Sequence, residues 1–382
     1  MRTSRSIPLP PSAEGGWKRF HPSEKAMAYT LNFKQLNKSS LPKVGGKNAS
    51  LGEMINAGIR VPPGFAVTTD SYLQYVTETG INDDIFRILS EMKVGDIASQ
   101  DEASEAIQQI IIAKTLPEEI KAAIESDYKA LCETCKVESV PVAVRSSATA
   151  EDLPAASFAG QQDTYLWIQG ADQVLDKVKK CWASLFTARA IDYRIKNNFP
   201  HDKVLISVGV QHMVNAKAAG VMFTLNPTDG DLSKVVIEGS WGLGETVVSG
   251  SVNPDKFVVD KVIMETSDKT VSTKHIECVF DPEKGGVIDA DVDDDLQCTC
   301  CLEDREVKKL TEMAKTIEKH YGRPMDIEWA IDKDLDFPEN MFIVQARPET
   351  VWSRREAKSV LGEKSGYQLL MEQAMKRIKI SS

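Results

Sequence analysis

Two short alternating segments near the C-terminal end, Asp326–Ile331 and Met341–Arg347, constrain this chain more than any other feature. Side chains on a strand alternate between faces with period two, so Asp326 and Glu328 share one face of the first segment and Met325, Ile327, Trp329 and Ile331 take the other. In the second segment the same rule puts Ile343, Gln345 and Arg347 on one face and Phe342, Val344 and Ala346 on the opposite one. Paired as a hairpin across Asp332–Asn340, the segments bring two carboxylates, an amide oxygen and a guanidinium to one patch of sheet. Carboxylate and amide oxygens suit a hard cation such as magnesium, and an arginine beside them suits a phosphate chain. A solvated antiparallel hairpin with a polar outer face has the same pattern, so on this segment alone both readings stay open.

A chain of 382 residues is long for one compact core and implies two or three lobes. Its formal net charge of -10, without a block of basic residues, excludes binding of nucleic acid through general electrostatics. No apolar run reaches the length of a membrane span, and the N-terminus lacks the apolar centre of a signal peptide, so a cytoplasmic protein is expected. Seven unevenly placed cysteines fit reduced thiols better than a disulfide framework. Cys132 and Cys135 have C-x-x-C spacing without a second pair. Cys298, Cys300 and Cys301 lack a histidine partner, so neither cluster forms a closed set of four zinc ligands.

Residues 1–27 are rich in Pro, Ser, Gly and basic residues without periodic apolar positions, and read as a disordered extension or an overlong start. Val44-Gly45-Gly46-Lys47-Asn48 then precedes a helical pattern through Leu51, Met54 and Ile55 that stops at Gly58. This is not a Walker loop: Leu41 takes the place of its first glycine and Asn48 that of the hydroxyl residue. What remains is a glycine turn that delivers a lysine near a helix N-terminus, where amides and dipole favour anions. Pro62-Pro63-Gly64 leads into a short strand, and amphipathic helices follow from Ser71 to Lys136, one of them starting at Pro117-Glu118-Glu119.

The apolar strand Val140–Val144 runs into Arg145-Ser146-Ser147-Ala148-Thr149, which presents a guanidinium and hydroxyl donors in the manner of a polyphosphate site. Ser157–Thr164, rich in small residues, reads as a flap. A helix is expected over Asp172–Asn198, with Trp182, Leu185 and Phe186 as its core face and Arg189 and Arg194 outside. Strands are expected at Lys203–Met213, Gly220–Thr224, Lys234–Glu238 and Lys256–Val259, and a helix at 303–321. Gln211–Val214 marks the crossing between lobes. Gly242-Leu243-Gly244 lacks the third glycine of a dinucleotide fingerprint.

Taken in order, these blocks resemble the nucleotide-binding domain of the phosphoenolpyruvate synthase and pyruvate phosphate dikinase family. The resemblance rests on Val44–Asn48, Ala143–Ser147, Ser157–Gln161, Gly220–Thr224 with Asn226-Pro227, Gly242–Glu245, Asp326–Trp329 and Gln345–Pro348. It implies an α+β, ATP-grasp fold, in which two lobes, residues 28–205 and 206–352, clamp ATP between their sheets, followed by a helical tail, 353–382. Lys47 and Arg145 would contact the phosphates, and Gly160 and Thr164 would belong to the flap. Gln211, Met213 and Val214 would line the adenine pocket, with Glu238 and Glu245 around the ribose side and inner wall. Glu328 and Gln345 would hold Mg2+, with Asp326 beside them and Arg347 on the transferring phosphate. Such a site works mostly by positioning and charge neutralisation.

The full-length relatives pass phosphate to a histidine in a Thr-Ser-His context. His21, His201, His212, His275 and His320 all lie outside such a context. The resemblance therefore implies a histidine-bearing partner subunit that carries the phosphate to a small acceptor, as in phenylphosphate synthase, where the acceptor is phenol. A split phosphoenolpyruvate synthase acting on pyruvate and an ATP-sensing module without turnover are the alternatives. In the tail, Tyr367, Leu370, Met371, Ala374, Met375 and Ile378 form an apolar stripe at helical spacing, which suits docking to a partner or packing on its own domain.

Overall fold

The computed structural model describes residues 27–149, 152–153, 156–157 and 164–352. All but Met27 of the extension expected over residues 1–27, most of the flap with Gly160, and the helical tail lie outside these residues.

The first lobe opens with β1 (Thr30–Asn32) and α1 (Leu41–Asn56), then β2 (Gly64–Val67). Four helices follow, α2 (Thr69–Glu78), α3 (Ile81–Glu91), α4 (Ile97–Ala113) and α5 (Glu118–Cys135). Thr68 and Asp96 accept the orphan amides that start α2 and α4. Next come β3 (Val142–Ala148), the two-residue strands β4 (Asp152–Leu153) and β5 (Ala156–Ser157), β6 (Thr164–Ile168), α6 (Ala171–Ala183), α7 (Ala188–Lys196) and β7 (Ile206–His212). The sheet order is β1-β2-β7-β3-β6, antiparallel throughout. Trp182, Tyr72, Tyr75, Phe186 and the apolar faces of α4 to α6 make its core.

The helix expected over Asp172–Asn198 is two helices. A 3-10 turn at Ser184–Phe186 ends the first, and Thr187 caps the second by accepting from the Ala190 amide. Arg194, expected outside, is fully buried. Its guanidinium lies 5.3 Å from the Phe186 ring centroid and donates to the Leu185 carbonyl and to His201 Nδ1, so local acceptors replace water. A second correction concerns β7. Residues from 206 onward were expected to open the second lobe, but β7 pairs with β2 and β3 and completes the first sheet through His212.

After His212 the chain crosses to the second lobe. Here β8 (Ala216–Phe223), β9 (Lys234–Trp241), α8 (Glu245–Val248), β10 (Asp255–Asp260) and β11 (Thr266–Thr270) are followed by the hairpin β12 (Ile276–Asp281) and β13 (Gly286–Asp291). Helices α9 (Asp294–Gln297) and α10 (Asp304–Tyr321) lead to β14 (Met325–Asp332) and β15 (Met341–Pro348). The six-stranded order is β11-β10-β9-β8-β14-β15. Its apolar face carries Ile237, Phe257, Ile327 and Trp329 against Leu310 and Ile317 of α10, and the same core takes in Val44, Leu51 and Met54 of α1. Helix α1 therefore packs on the strands of one lobe and on the core of the other. Ser50 Oγ donates to the Ala346 carbonyl at 2.7 Å, and the Ile343 amide to the Arg60 carbonyl at 2.9 Å. All seven cysteines are free thiols. Among the described residues no helix is long and apolar enough to cross a membrane.

Candidate active site

The hairpin forms as its alternation requires, with one displacement. Asp326 pairs with Arg347 and Glu328 with Gln345, but Trp329 pairs with Ile343, which leaves Val344 as an extra residue in a β-bulge. The bulge reverses the faces beyond it. Ile343 and Ala346 join Trp329 and Ile327 in the core, while Phe342 lies beside Ala330 and Val344 on the other side. The expectation that Ile343 shares a face with Gln345, and Phe342 and Val344 with Ala346, is thereby corrected. The polar patch itself survives because Gln345 and Arg347 still lie opposite the two carboxylates.

Arg145 meets that patch from the first lobe. It sits within β3 rather than at its end, because Ser146 to Ala148 continue the ladder with β7 and are buried. Its Nη2 donates to Glu328 Oε2 at 3.0 Å and to Gln345 Oε1 at 2.9 Å, and its Nη1 to the Val344 carbonyl at 3.3 Å. Gln345 Nε2 in turn donates to Glu328 Oε1 at 3.1 Å. One carboxylate oxygen and one amide oxygen thus converge on a single cationic nitrogen. These two residues fit a hard cation: both donors are oxygens, they converge, and they already hold a positive charge.

Lys47 reaches the same place by way of Gly45. The latter has φ 70° and ψ 173°, which breaks α1 after its first turn. A Cβ at Gly45 would lie 2.2 Å from the Ser147 carbonyl oxygen. Ser147 Oγ donates to the Val44 carbonyl and accepts from the Asn48 amide. The expected turn before a helix is therefore a break within one, and it sets Lys47 Nζ 3.2 Å from the Ser146 carbonyl. Lys47, Asn48, Arg145, Ser146, Gln211 and Gln345 line a common cavity of about 10 Å³.

Asp326 accepts from Arg347 Nε and Nη2, each at 2.8 Å. Burial pushes its carboxyl above the ordinary aspartate range; Arg347 offsets this in part, and Glu328 and Glu349 add to it. Glu238 lies on the same face of the sheet. It pairs with Val221, which pairs with Glu328, so it stands two strand spacings from the hairpin, roughly 10 Å. There it lines a wider cavity of about 540 Å³ with Asn253, Lys256, Thr270 and His275. Glu245 is exposed at the start of α8. It also faces Cys278, whose thiol is raised to about 11 by burial, Asp289 and Glu245.

The remaining expected residues divide. Thr164 is exposed at the start of β6, paired with Arg145. Met213 packs with Ala143, Leu243 and Cys278, and Val214 with Ala219, Ala330 and Phe342, both where the chain crosses between sheets. Gln211 parts from them and joins Lys47 and Arg145. Sequence reasoning missed two backbone acceptors, the carbonyls of Ser146 and Val344, since no side-chain pattern marks a carbonyl. It treated Asn48 only as a departure from the Walker pattern, although Asn48 bridges Val44 and Ser207 at the cavity wall.

The model of the pyruvate phosphate dikinase, AMP/ATP-binding domain matches residues 41–366. The chain belongs to that family. Curated relatives of this AMP/ATP-binding domain include a probable phosphoenolpyruvate synthase of Staphylothermus marinus, 48% identical over 365 residues, which span 90% of this chain and 44% of the relative. Another probable phosphoenolpyruvate synthase, from Methanothermobacter thermautotrophicus, is 47% identical over 330 residues, 86% of this chain and 47% of the relative. The phosphoenolpyruvate synthase of Aeropyrum pernix is 44% identical over 349 residues, 85% of this chain and 43% of the relative. The chain thus spans less than half the length of these relatives.

Proposed function

We propose that this domain binds MgATP between its two sheets and passes phosphate, by pyrophosphoryl transfer, to a histidine on a separate carrier polypeptide. The observation that carries this reading is the Arg145 contact. A guanidinium from the first sheet rests on a carboxylate and an amide oxygen of the second, so cation and anion partners of a metal–polyphosphate complex already face each other across the cleft.

On this reading Glu328 and Gln345 hold Mg2+, which supplies charge neutralisation on the phosphates. The chain's own groups do the rest. Arg145 gives up Glu328 and Gln345 and turns its donors to phosphate oxygens, joined by Lys47. Arg347, oriented by Asp326, addresses the transferring phosphate. Met213 and Val214 line the adenine side, Glu238 and Glu245 lie toward the ribose and inner wall, and Gly160 and Thr164 belong to the cover. Positioning and neutralisation of this kind, without a protein nucleophile in the cleft, suit phosphoryl transfer.

The carrier passes its phosphate to a small acceptor. Phenol is the acceptor we favour, from the resemblance to phenylphosphate synthase; pyruvate is the second reading, supported by the similarity to phosphoenolpyruvate synthases. A cytoplasmic location belongs to the same proposal. The test incubates the purified chain with a histidine-bearing carrier of the family and ATP labelled at the β or γ position, then supplies phenol or pyruvate. Acid-labile phosphohistidine carrying the β label is expected, with AMP released on pyrophosphoryl transfer and the γ-phosphate released as orthophosphate when water cleaves the pyrophosphohistidine. ATP binding without any labelled histidine would leave the non-catalytic, ATP-sensing reading.

A further inference from the structure

Besides the packing of α1 and the Arg145 contact, an aromatic pair joins the two lobes. Trp167 of β6, the edge of the first sheet opposite β1, stacks on Phe280 of β12, with ring centroids 4.7 Å apart and planes inclined by 13°. An irregularity in the ladder makes this possible. Val142 pairs with Ile168 but Val144 with Tyr165, so Ala143 faces both Leu166 and Trp167. Strand alternation would send Leu166 and Trp167 to opposite faces. The bulge instead puts both against the cluster of Ala143, Met213, Leu243 and Cys278 at the crossing, while Tyr165 and Ile168 stay with the core of the first lobe. Trp167 adopts φ 57°, a left-handed conformation that is strained for a bulky residue. Such strain costs about as much as an aromatic pair gains, so net stability alone does not account for the stack. A strained residue is kept where the surrounding structure uses it.

Phe280 belongs to an arm of the second lobe. The hairpin β12–β13 forms a two-stranded sheet of its own, in which Phe280 pairs with Val287. It is held to the second lobe by the Leu243 amide, which donates to the Cys278 carbonyl at 2.8 Å. The arm thus grips β6, and β6 is the neighbour of β3, with Thr164 paired to Arg145. We propose that the Trp167–Phe280 stack is the positioning contact of the cleft: it holds the edge of the first sheet on the second lobe and so sets the gap across which Arg145 reaches Glu328 and Gln345. Only the use of that gap for MgATP rests on the function proposed above. When Arg145 exchanges Glu328 and Gln345 for phosphate, the polar contact between the lobes is lost, and the stack, together with α1, keeps the two sheets in register. Neither ring acts on the nucleotide itself; both act through Arg145.

The experiment is a double-mutant cycle on the whole chain with Phe280→Ala, Arg145→Ala and the two together, titrated calorimetrically with MgATP. Phe280→Ala should lower the affinity about tenfold, and Phe280→Tyr, which keeps the ring, should bind as wild type does. Arg145→Ala should cost the wild type about a hundredfold but the Phe280→Ala background less than about tenfold, because a misplaced arginine has less to lose. Trp167→Asn removes the ring and suits the left-handed backbone. It should match the Phe280→Ala affinity with an unfolding temperature near that of wild type, which keeps the test decisive should Phe280→Ala fail to fold. Additive losses in the cycle, or wild-type affinity in Phe280→Ala and Trp167→Asn, would overturn the proposal. Small-angle scattering without nucleotide is the second arm: the double variant should have a larger radius of gyration than Arg145→Ala alone, and an equal radius would overturn the grip assigned to the stack. A wild-type chain that binds no MgATP would sink the MgATP reading alone, since the scattering still decides whether the stack holds the lobes.

Discussion

Replacing Glu328 by alanine should have opposite effects on ATP binding with and without metal. In the free protein the Glu328 carboxylate is 23% exposed, holds Arg145 at 3.0 Å and lies where the phosphate chain is to bind. Without metal it repels the triphosphate: two like charges at 4–5 Å and an effective dielectric near 20 interact by about 3–4 kcal/mol. Freeing Arg145 from a partly exposed ion pair adds up to about 1 kcal/mol. Loss of one contact between the lobes and partial screening oppose these terms, so we expect Glu328→Ala to bind metal-free ATP about ten- to a hundredfold more tightly than wild type. With Mg2+ the order inverts, because the variant has lost the charged member of the metal pair, and histidine phosphorylation should vanish while the fold persists. Calorimetric titration with ATP in EDTA and in excess Mg2+ measures both quantities. Weaker binding than wild type in EDTA, or a full gain from Mg2+ in the variant, would show that Glu328 neither repels the metal-free triphosphate nor holds the metal.

Other outcomes follow from single contacts. Arg347→Ala should reduce phosphotransfer about a hundredfold or more, as for loss of an electrostatic transition-state donor, with ATP affinity changed far less; a comparison of kcat with ATP affinity separates the two. Gly45→Ala forces a Cβ against the Ser147 carbonyl at positive φ and should destabilise the chain by about 2–4 kcal/mol, read as a lower denaturant midpoint. Burial, with a smaller effect of Arg194, holds His201 down at about 4 against an ordinary 6.5. Between those values the unfolded chain binds the proton that the folded chain refuses. The stability it contributes is therefore complete above pH 6.5 and lost as pH falls toward 4. The melting temperature of wild type should drop across that window more steeply than that of His201→Gln.

Much of the site was legible in the sequence because strand alternation is a strict code. Asp326 and Glu328, two apart on a segment with apolar neighbours, had to share a face, and the facing pair Gln345 and Arg347 followed. The bulge at Val344 was not legible, since an extra residue in a ladder depends on the partner strand and no local pattern announces it. Arg194 was misplaced for a related reason: helical periodicity counts charges as outward, whereas Phe186, Leu185 and His201 provide a ring face and two acceptors that only the folded lobe brings together. The lobe boundary was drawn before β7 because that strand leads into the crossing. Hydrogen bonding to β2 and β3, which join it from distant parts of the chain, decides otherwise. Gln211 is the last residue but one of β7; its pairing with Gly64 and Ala143, and its place in the wall of the Lys47–Arg145 cavity, depend on sheet partners that no local pattern names.

On the proposed function a polyphosphate exchanges places with Glu328 and Gln345 on Arg145. Titrating the wild-type chain and Arg145→Ala with MgATP tests it most directly. We expect one nucleotide per chain in wild type and an affinity at least about a hundredfold lower in the variant, as for losing charge-assisted bonds to phosphate. Equal affinity in the two proteins, or no binding by wild type, would contradict it.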